Sequence, residues 1–137
     1  MIFTGLQKDI KALAQCAYAP YSGFKVASIV FSSNGGRYTG VNVENVSYGL
    51  TSCAEQNAVG AMISAGEQVI EKIVIGTSDG VYCPPCGRCR QLIAEFSHAK
   101  TEVVLVHGDQ VDVILADKLL PSKFACVQGA HDKNTKA

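Results

Sequence analysis

The sequence predicts an α/β chain folded as a three-layer α/β/α sandwich around a mixed five-stranded sheet. Segments of helical and strand periodicity alternate in the order helix, hairpin, helix, strand, helix, hairpin. Two tight connections, around Asn34-Gly35-Gly36 and Gly108-Asp109-Gln110, are too short for anything but antiparallel neighbours. The 137 residues, 47% of them hydrophobic, suffice for one domain whose core needs no staples.

Each element has a local reason. Thr4 and Gln7 have capping-box spacing, and Leu6, Ile10, Leu13, Ala14 and Ala17 recur at helical intervals, which predicts a helix over 5–17. Pro20 and Gly23 in "APYSGF" break it. "KVASIVFSS" and "RYTGVNVEN" read as the strands of a hairpin. "VENVSYGLTS" is a loop, and residues 53–65 follow as a helix rich in good formers, with Gly66 as its stop. "EKIVIGT" is a buried strand. The prolines of "SDGVYCPP" forbid an earlier start to the next helix, 86–97, which turns Leu92, Ile93 and Phe96 inward. "TEVVLVH" and "VDVIL" form the last hairpin, and "ADKLLP" a short helical turn. Residues 1–128 therefore read as a single domain, and 129–137 as a polar C-terminal tail.

Composition excludes several classes of function. Twelve basic and twelve acidic residues give zero net charge, so nothing attracts a polyanion, and no nucleic-acid partner is expected. No apolar run reaches about 18 residues, so no membrane partner is expected either. The N-terminal "MIFTGLQKDI" lacks the basic-then-apolar layout of a signal peptide. The expected location is cytoplasmic. In that reducing setting the six cysteines suggest metal binding or catalysis before disulfides.

The chemistry concentrates in two stretches, "CAE" at 53–55 and "PCGRC" at 85–89. Cys53 opens one predicted helix; Cys86 and Cys89 open another, one turn apart. Both helices follow loops at the same end of their strands, so their tips can meet. A helix N-terminus stabilises thiolate through free N–H groups and its dipole. Three convergent thiolates suit Zn²⁺ and leave its fourth tetrahedral position open, the mark of a catalytic site. Glu55 then stands beside that position as the proton carrier. A ligand-x-Glu pair followed by Pro-Cys-x-x-Cys is the signature of zinc deaminases, here with Cys in the place of His. The spacing leaves two other readings: a structural four-cysteine site that includes Cys83, and a redox dithiol at Cys86 and Cys89. Neither gives Glu55 a purpose.

With those residues in view, the chain resembles the small homotetrameric cytidine deaminases. The likeness rests on "AYAPYSGFKV" at 17–26, "GVNVENVSYG" at 40–49, "CAEQNA" at 53–58, "PCGRCRQ" at 85–91 and "LLPSKF" at 119–124, in order and over nearly the whole length. The resemblance implies Zn²⁺ held by Cys53, Cys86 and Cys89, and Glu55 as general acid and base. It implies ribose contacts from Asn42 and Glu44, Phe24 beside the base, and the Ala54 backbone on the pyrimidine carbonyl. It implies that Tyr48 lines a site shared between subunits and that Phe124 reaches into a neighbour's pocket. The expected substrate is a small nucleoside, cytidine or deoxycytidine, converted to uridine or deoxyuridine with release of ammonia. A deaminase of modified or antibiotic cytosine nucleosides, like the blasticidin S deaminases, is the alternative. By residue type alone, Asn42 and Glu44 also read as polar positions on an edge strand, and Phe24 and Phe124 as core residues.

The sequence departs from the family pattern in informative places. Three-cysteine members usually carry Arg at position 56; here it is Gln56. Zn²⁺ with three thiolates is a net anion, which lowers the Lewis acidity of the metal, and Gln56 offers no charge to offset it. Arg88 and Arg90 are the cations that stand near enough in sequence to compensate. In "VASI", Ala27 and Ser28 replace a pattern with Gly after Val, which could reshape the floor under the base.

Overall fold

The computed structural model describes residues 4–125, so the expected tail at 129–137, with His131, and Cys126 lie outside the described residues. The elements are α1 (Thr4–Ala14), β1 (Val26–Ser32), β2 (Arg37–Val41), a 3₁₀ turn at Tyr48–Leu50, α2 (Ala54–Ser64), β3 (Ile70–Thr77), α3 (Gly87–Glu95), β4 (Ser97–His107), β5 (Gln110–Leu115) and a 3₁₀ turn at Ala116–Lys118. The five strands form one mixed sheet in the order β2-β1-β3-β4-β5. β3 and β4 pair in parallel across the α3 crossover, and every other pair is antiparallel.

Two apolar clusters make the three layers. On one face Ile10 and Ala14 of α1 pack on Ala27, Ile29, Val74, Val104 and Val106. On the other, Ala58, Val59 and Met62 of α2 and Ile93 of α3 pack on Val30, Ile73, Ile75, Val103 and Leu105. Two glycines set the approach of the helices. A Cβ on Gly76 would stand 2.6 Å from Ile10 Cγ2, so its absence lets α1 sit down on β3. A Cβ on Gly40 would stand 2.5 Å from the Ala54 carbonyl oxygen, so its absence lets the first turn of α2 rest on β2.

Element boundaries move where distant partners intervene. α1 ends at Ala14, not at residue 17, because the Tyr18 N–H leaves the helix for the Asn42 carbonyl, 3.1 Å away. Gln7 Nε2 reaches across to the Gly108 carbonyl at 3.4 Å. β2 stops at Val41, so Asn42 and Glu44 lie beyond the strand, and Val43 instead bridges to Tyr18 and Ser52. Cys53 and Cys86 are the N-caps of α2 and α3, just outside the helices they were expected to begin. α3 closes at Glu95, and β4 starts at Ser97 rather than 101 because Ser97 pairs with Ile70. The Thr101 hydroxyl holds that irregular start by donating to the Ile70 carbonyl at 2.6 Å.

Candidate metal centre and active site

The site forms where α2 and α3 begin. The α2 tip is fixed by Gly40 beneath it and by Asn57, whose Nδ2 donates to the Val41 carbonyl at 2.7 Å and to Ser52 Oγ at 3.0 Å. The α3 tip is fixed by buried Pro85, whose carbonyl accepts from Arg90 Nε at 2.9 Å. At that tip the Cys86 sulfur accepts from the Cys89 N–H at 3.4 Å. The sulfurs of Cys53, Cys86 and Cys89 all lie within 4.8 Å of one another. A tetrahedral ion with metal–sulfur bonds of 2.3 Å needs ligand atoms about 3.8 Å apart, so small side-chain adjustments complete the cage. Three soft donors at two helix tips fit Zn²⁺ and do not suit Mg²⁺ or Ca²⁺, which take oxygen. Cys83 stands outside this cluster, and burial pushes its thiol up to about 11.

The electrostatics follow from burial and helix tips. Burial pushes the thiols of Cys53 and Cys89 above their usual range in the metal-free chain. Burial acts upward on Cys86 too, but N–H groups of α3 and the neighbouring thiols outweigh it, so Cys86 is held below its usual value. Glu55, on the first turn of α2, is only 5% exposed. Its carboxyl is pushed up, chiefly by burial, with the Cys89 thiol acting the other way. A carboxyl raised in this manner beside a thiol cage is suited to both accept and deliver protons.

The remaining expected residues make contacts of their own. Asn42 and Glu44 hold the preceding loop rather than standing free on an edge strand. Asn42 Oδ1 accepts from the Val26 N–H and its Nδ2 donates to the Phe24 carbonyl, both at 2.8 Å. Glu44 accepts from the N–H groups of Tyr21 and Ser22 at 3.0 and 3.1 Å, and from the Ser22 hydroxyl. Its carboxyl is held below the usual range, first by the Ser22 hydroxyl. Phe24 and Phe124 are exposed, not core residues. Tyr48 meets Tyr21 edge-on at 6.0 Å between ring centres. Ala54 is buried at the start of α2. Gln56 turns to α3, where its Oε1 accepts from Arg88 Nη2 at 2.9 Å. Ala27 packs in the α1 cluster on the far face, so it forms no floor here; Ser28, one residue on, alternates to the α2 face and is buried. Asn57 and Ser22 were missed as site residues, because Asn57 acts on the Val41 carbonyl 16 residues away and Ser22 on the Glu44 carboxylate 22 residues away.

A three-thiol cage with one buried carboxylate, carried on helix tips over a mixed sheet, defines a zinc-dependent deaminase. The family model described as the cytidine and deoxycytidylate deaminase zinc-binding region matches residues 6–106. A cytidine deaminase of Halalkalibacterium halodurans is 40% identical over 131 residues, covering 94% of this chain and 96% of the relative. One from Mycobacterium tuberculosis is 43% identical over 102 residues, 74% of this chain and 75% of the relative. The crystal structure of cytidine deaminase from Burkholderia pseudomallei superposes with a TM-score of 0.79 at 38% identity, over 90% of this chain and all of that one. The chain belongs to the cytidine deaminase family.

Proposed function

We propose that the chain catalyses the hydrolytic deamination of cytidine and deoxycytidine to uridine and deoxyuridine, with release of ammonia. The observation that carries this reading is the buried Glu55 carboxylate beside the Cys53, Cys86 and Cys89 cluster. Zn²⁺ bound by the three thiolates supplies the Lewis acidity that makes water a nucleophile at neutral pH. Glu55 takes the proton that this water loses at its carboxylate oxygen. It passes that proton to ring N3 of the base, which makes C4 electrophilic to the hydroxide; it then takes the proton of the new C4 hydroxyl and hands it to the amino nitrogen, which leaves as ammonia as the C4 carbonyl forms. Its raised proton affinity matches the repeated hand-over.

Substrate contacts follow from unused bonding capacity. An amide NH₂ has two donors, and Asn42 uses one on Phe24. A carboxylate has about four acceptor positions, and Glu44 uses three. One donor of Asn42 and one acceptor position of Glu44 thus remain, which supports the ribose contacts that the family resemblance implies. Phe24 flanks the base, and the Ala54 backbone takes the pyrimidine carbonyl. Val46, Tyr48, Leu50 and Phe124 are between 69% and 79% exposed, too much apolar surface to leave to water. This surface supports what the resemblance to homotetrameric cytidine deaminases implies: the chain works as a homotetramer in which Tyr48 and Phe124 complete sites between copies and shield them from solvent. Zero net charge supports a free nucleoside rather than a nucleic acid as substrate. A cytoplasmic location fits the three ligand thiols, which a reducing compartment keeps unpaired. No described helix is long and apolar enough to cross a membrane.

The deciding measurement is ammonia release by zinc-loaded protein from cytidine, deoxycytidine, a modified cytosine nucleoside and a single-stranded oligonucleotide, side by side. Turnover of the first two is expected. Preference for the modified nucleoside or the oligonucleotide overturns the substrate assignment, and no ammonia from any of them overturns the reaction. Sedimentation of the same sample checks the tetramer.

A further inference from the structure

We propose that Gln56 and Arg88 form a clamp that fixes the two ligand-bearing helix tips to each other and seats one positive charge beside the three thiolates. Both act as positioning residues for the metal centre, and the proposal rests on the zinc reading above.

Gln56 is the third residue of α2, one turn past its N-cap, Cys53. A glutamine there ordinarily folds back on the N–H of the N-cap. Here its Oε1 crosses to α3 and accepts from Arg88 Nη2 at 2.9 Å, linking residues 32 apart in sequence. Arg88 lies between Cys86 and Cys89, so the bridge joins the same two helix tips that supply the sulfurs. Gln56, Arg88, Cys89 and Leu92 line one surface pocket of about 260 Å³, so both clamp residues border the same cavity as a ligand-bearing residue. Arg90, the other cation on this helix, spends its Nε on the Pro85 carbonyl.

Charge explains why such a clamp is needed. A divalent ion with three thiolates carries a net charge of about −1. An uncharged Gln56 cannot offset it, but a guanidinium oriented by Gln56 can. The competing view treats the pair as an ordinary exposed contact, which contributes little to anything. The two views differ in what they say about zinc. A surface contact leaves metal retention untouched, whereas partners that orient ligands typically change it by about 10- to 100-fold.

The test is zinc release from the loaded enzyme into excess chromophoric chelator, followed by absorbance. Arg88 is exposed and Gln56 only half-buried, so truncating either opens no core cavity, and thermal unfolding of the metal-free variants checks this. Arg88→Ala and Gln56→Ala are each expected to release zinc about 10- to 100-fold faster than the parent. The double variant should be no faster than the faster single one, because the two act as a unit. Arg88→Lys, which keeps charge but loses the planar fork, should fall between. Cobalt-loaded Arg88→Ala should show an altered visible spectrum, since ligand geometry changes. Zinc release from Arg88→Ala within about twofold of the parent, while Cys86→Ser loses its metal, overturns the clamp and leaves the zinc site standing. A parent that retains no zinc overturns both.

Discussion

The two faces of the sheet are built to different standards. The face under α1 is apolar throughout: Ile10, Ala14, Ala27, Ile29, Val74 and Val104 are all within 1% of full burial. The face under α2 and α3 also has an apolar core, but toward the helix tips it buries a carboxyl, a serine and a thiol. Glu55 is pushed upward by burial, and the Ser28 hydroxyl finds no hydrogen-bond partner among the described residues. Such groups cost stability unless paired. One face therefore holds the sheet together, while the other tolerates unfavourable burial where chemistry requires it.

Four substitutions probe that division, from the largest effect to the smallest. Glu55→Gln should cut turnover by about 10²–10⁴-fold or more while zinc stays bound, measured by ammonia release and metal content. Near-parental activity in the zinc-loaded variant would remove Glu55 from the reaction. Ile10→Ala, on the face away from the site, should cost about 2–5 kcal/mol in urea unfolding and leave kcat per folded molecule unchanged. A large loss of kcat in folded protein would mean that the faces are not separable. Gly40→Ala pushes a methyl into the α2 tip and should cost about 1–3 kcal/mol, with faster zinc release, because Cys53 moves with that tip. Ser28→Ala removes an unpaired buried hydroxyl and should be neutral or stabilising by about 1 kcal/mol; clear destabilisation would reveal a hidden partner.

Glu55 also gives the comparison a pH signature. Its folded proton affinity is raised above the ordinary carboxyl value of 4.5, so the folded metal-free chain binds a proton that the unfolded chain releases. The stability this contributes is complete at low pH and is lost as pH rises through the folded value. Metal-free Glu55→Gln should therefore unfold at higher urea than the metal-free parent near pH 8, and the gap should close toward pH 4. A gap independent of pH would place its origin elsewhere.

Local pattern carried the sulfur and carboxylate positions, because Cys53, Glu55, Cys86 and Cys89 lie in two short motifs whose spacing is itself the geometry. It also carried the layer order, since hairpin turns and helical periods are local. What escaped is non-local. "RYTGVNVEN" alternates like a strand to its end, yet the ladder with β1 stops at Val41 because Val43 bridges to Tyr18 and Ser52. Ser97–Lys100 lacks an apolar rhythm, and only pairing with Ile70 makes its start a strand. Gln56 reads as an uncharged replacement until the fold brings Arg88 to it from another helix. Tyr48 and Phe124 are each 76% exposed, and residue type alone points an aromatic inward, so their exposure could not be read from the sequence.

Asn42 and Glu44 already hold the segment from Tyr21 to Val26 through its main chain. A sugar that engages the same two side chains would be sensed by that segment at once. On the proposed reading of Asn42 and Glu44, that segment would report occupancy, readable in the amide exchange rates of Tyr21 and Ser22 as a nucleoside is titrated in.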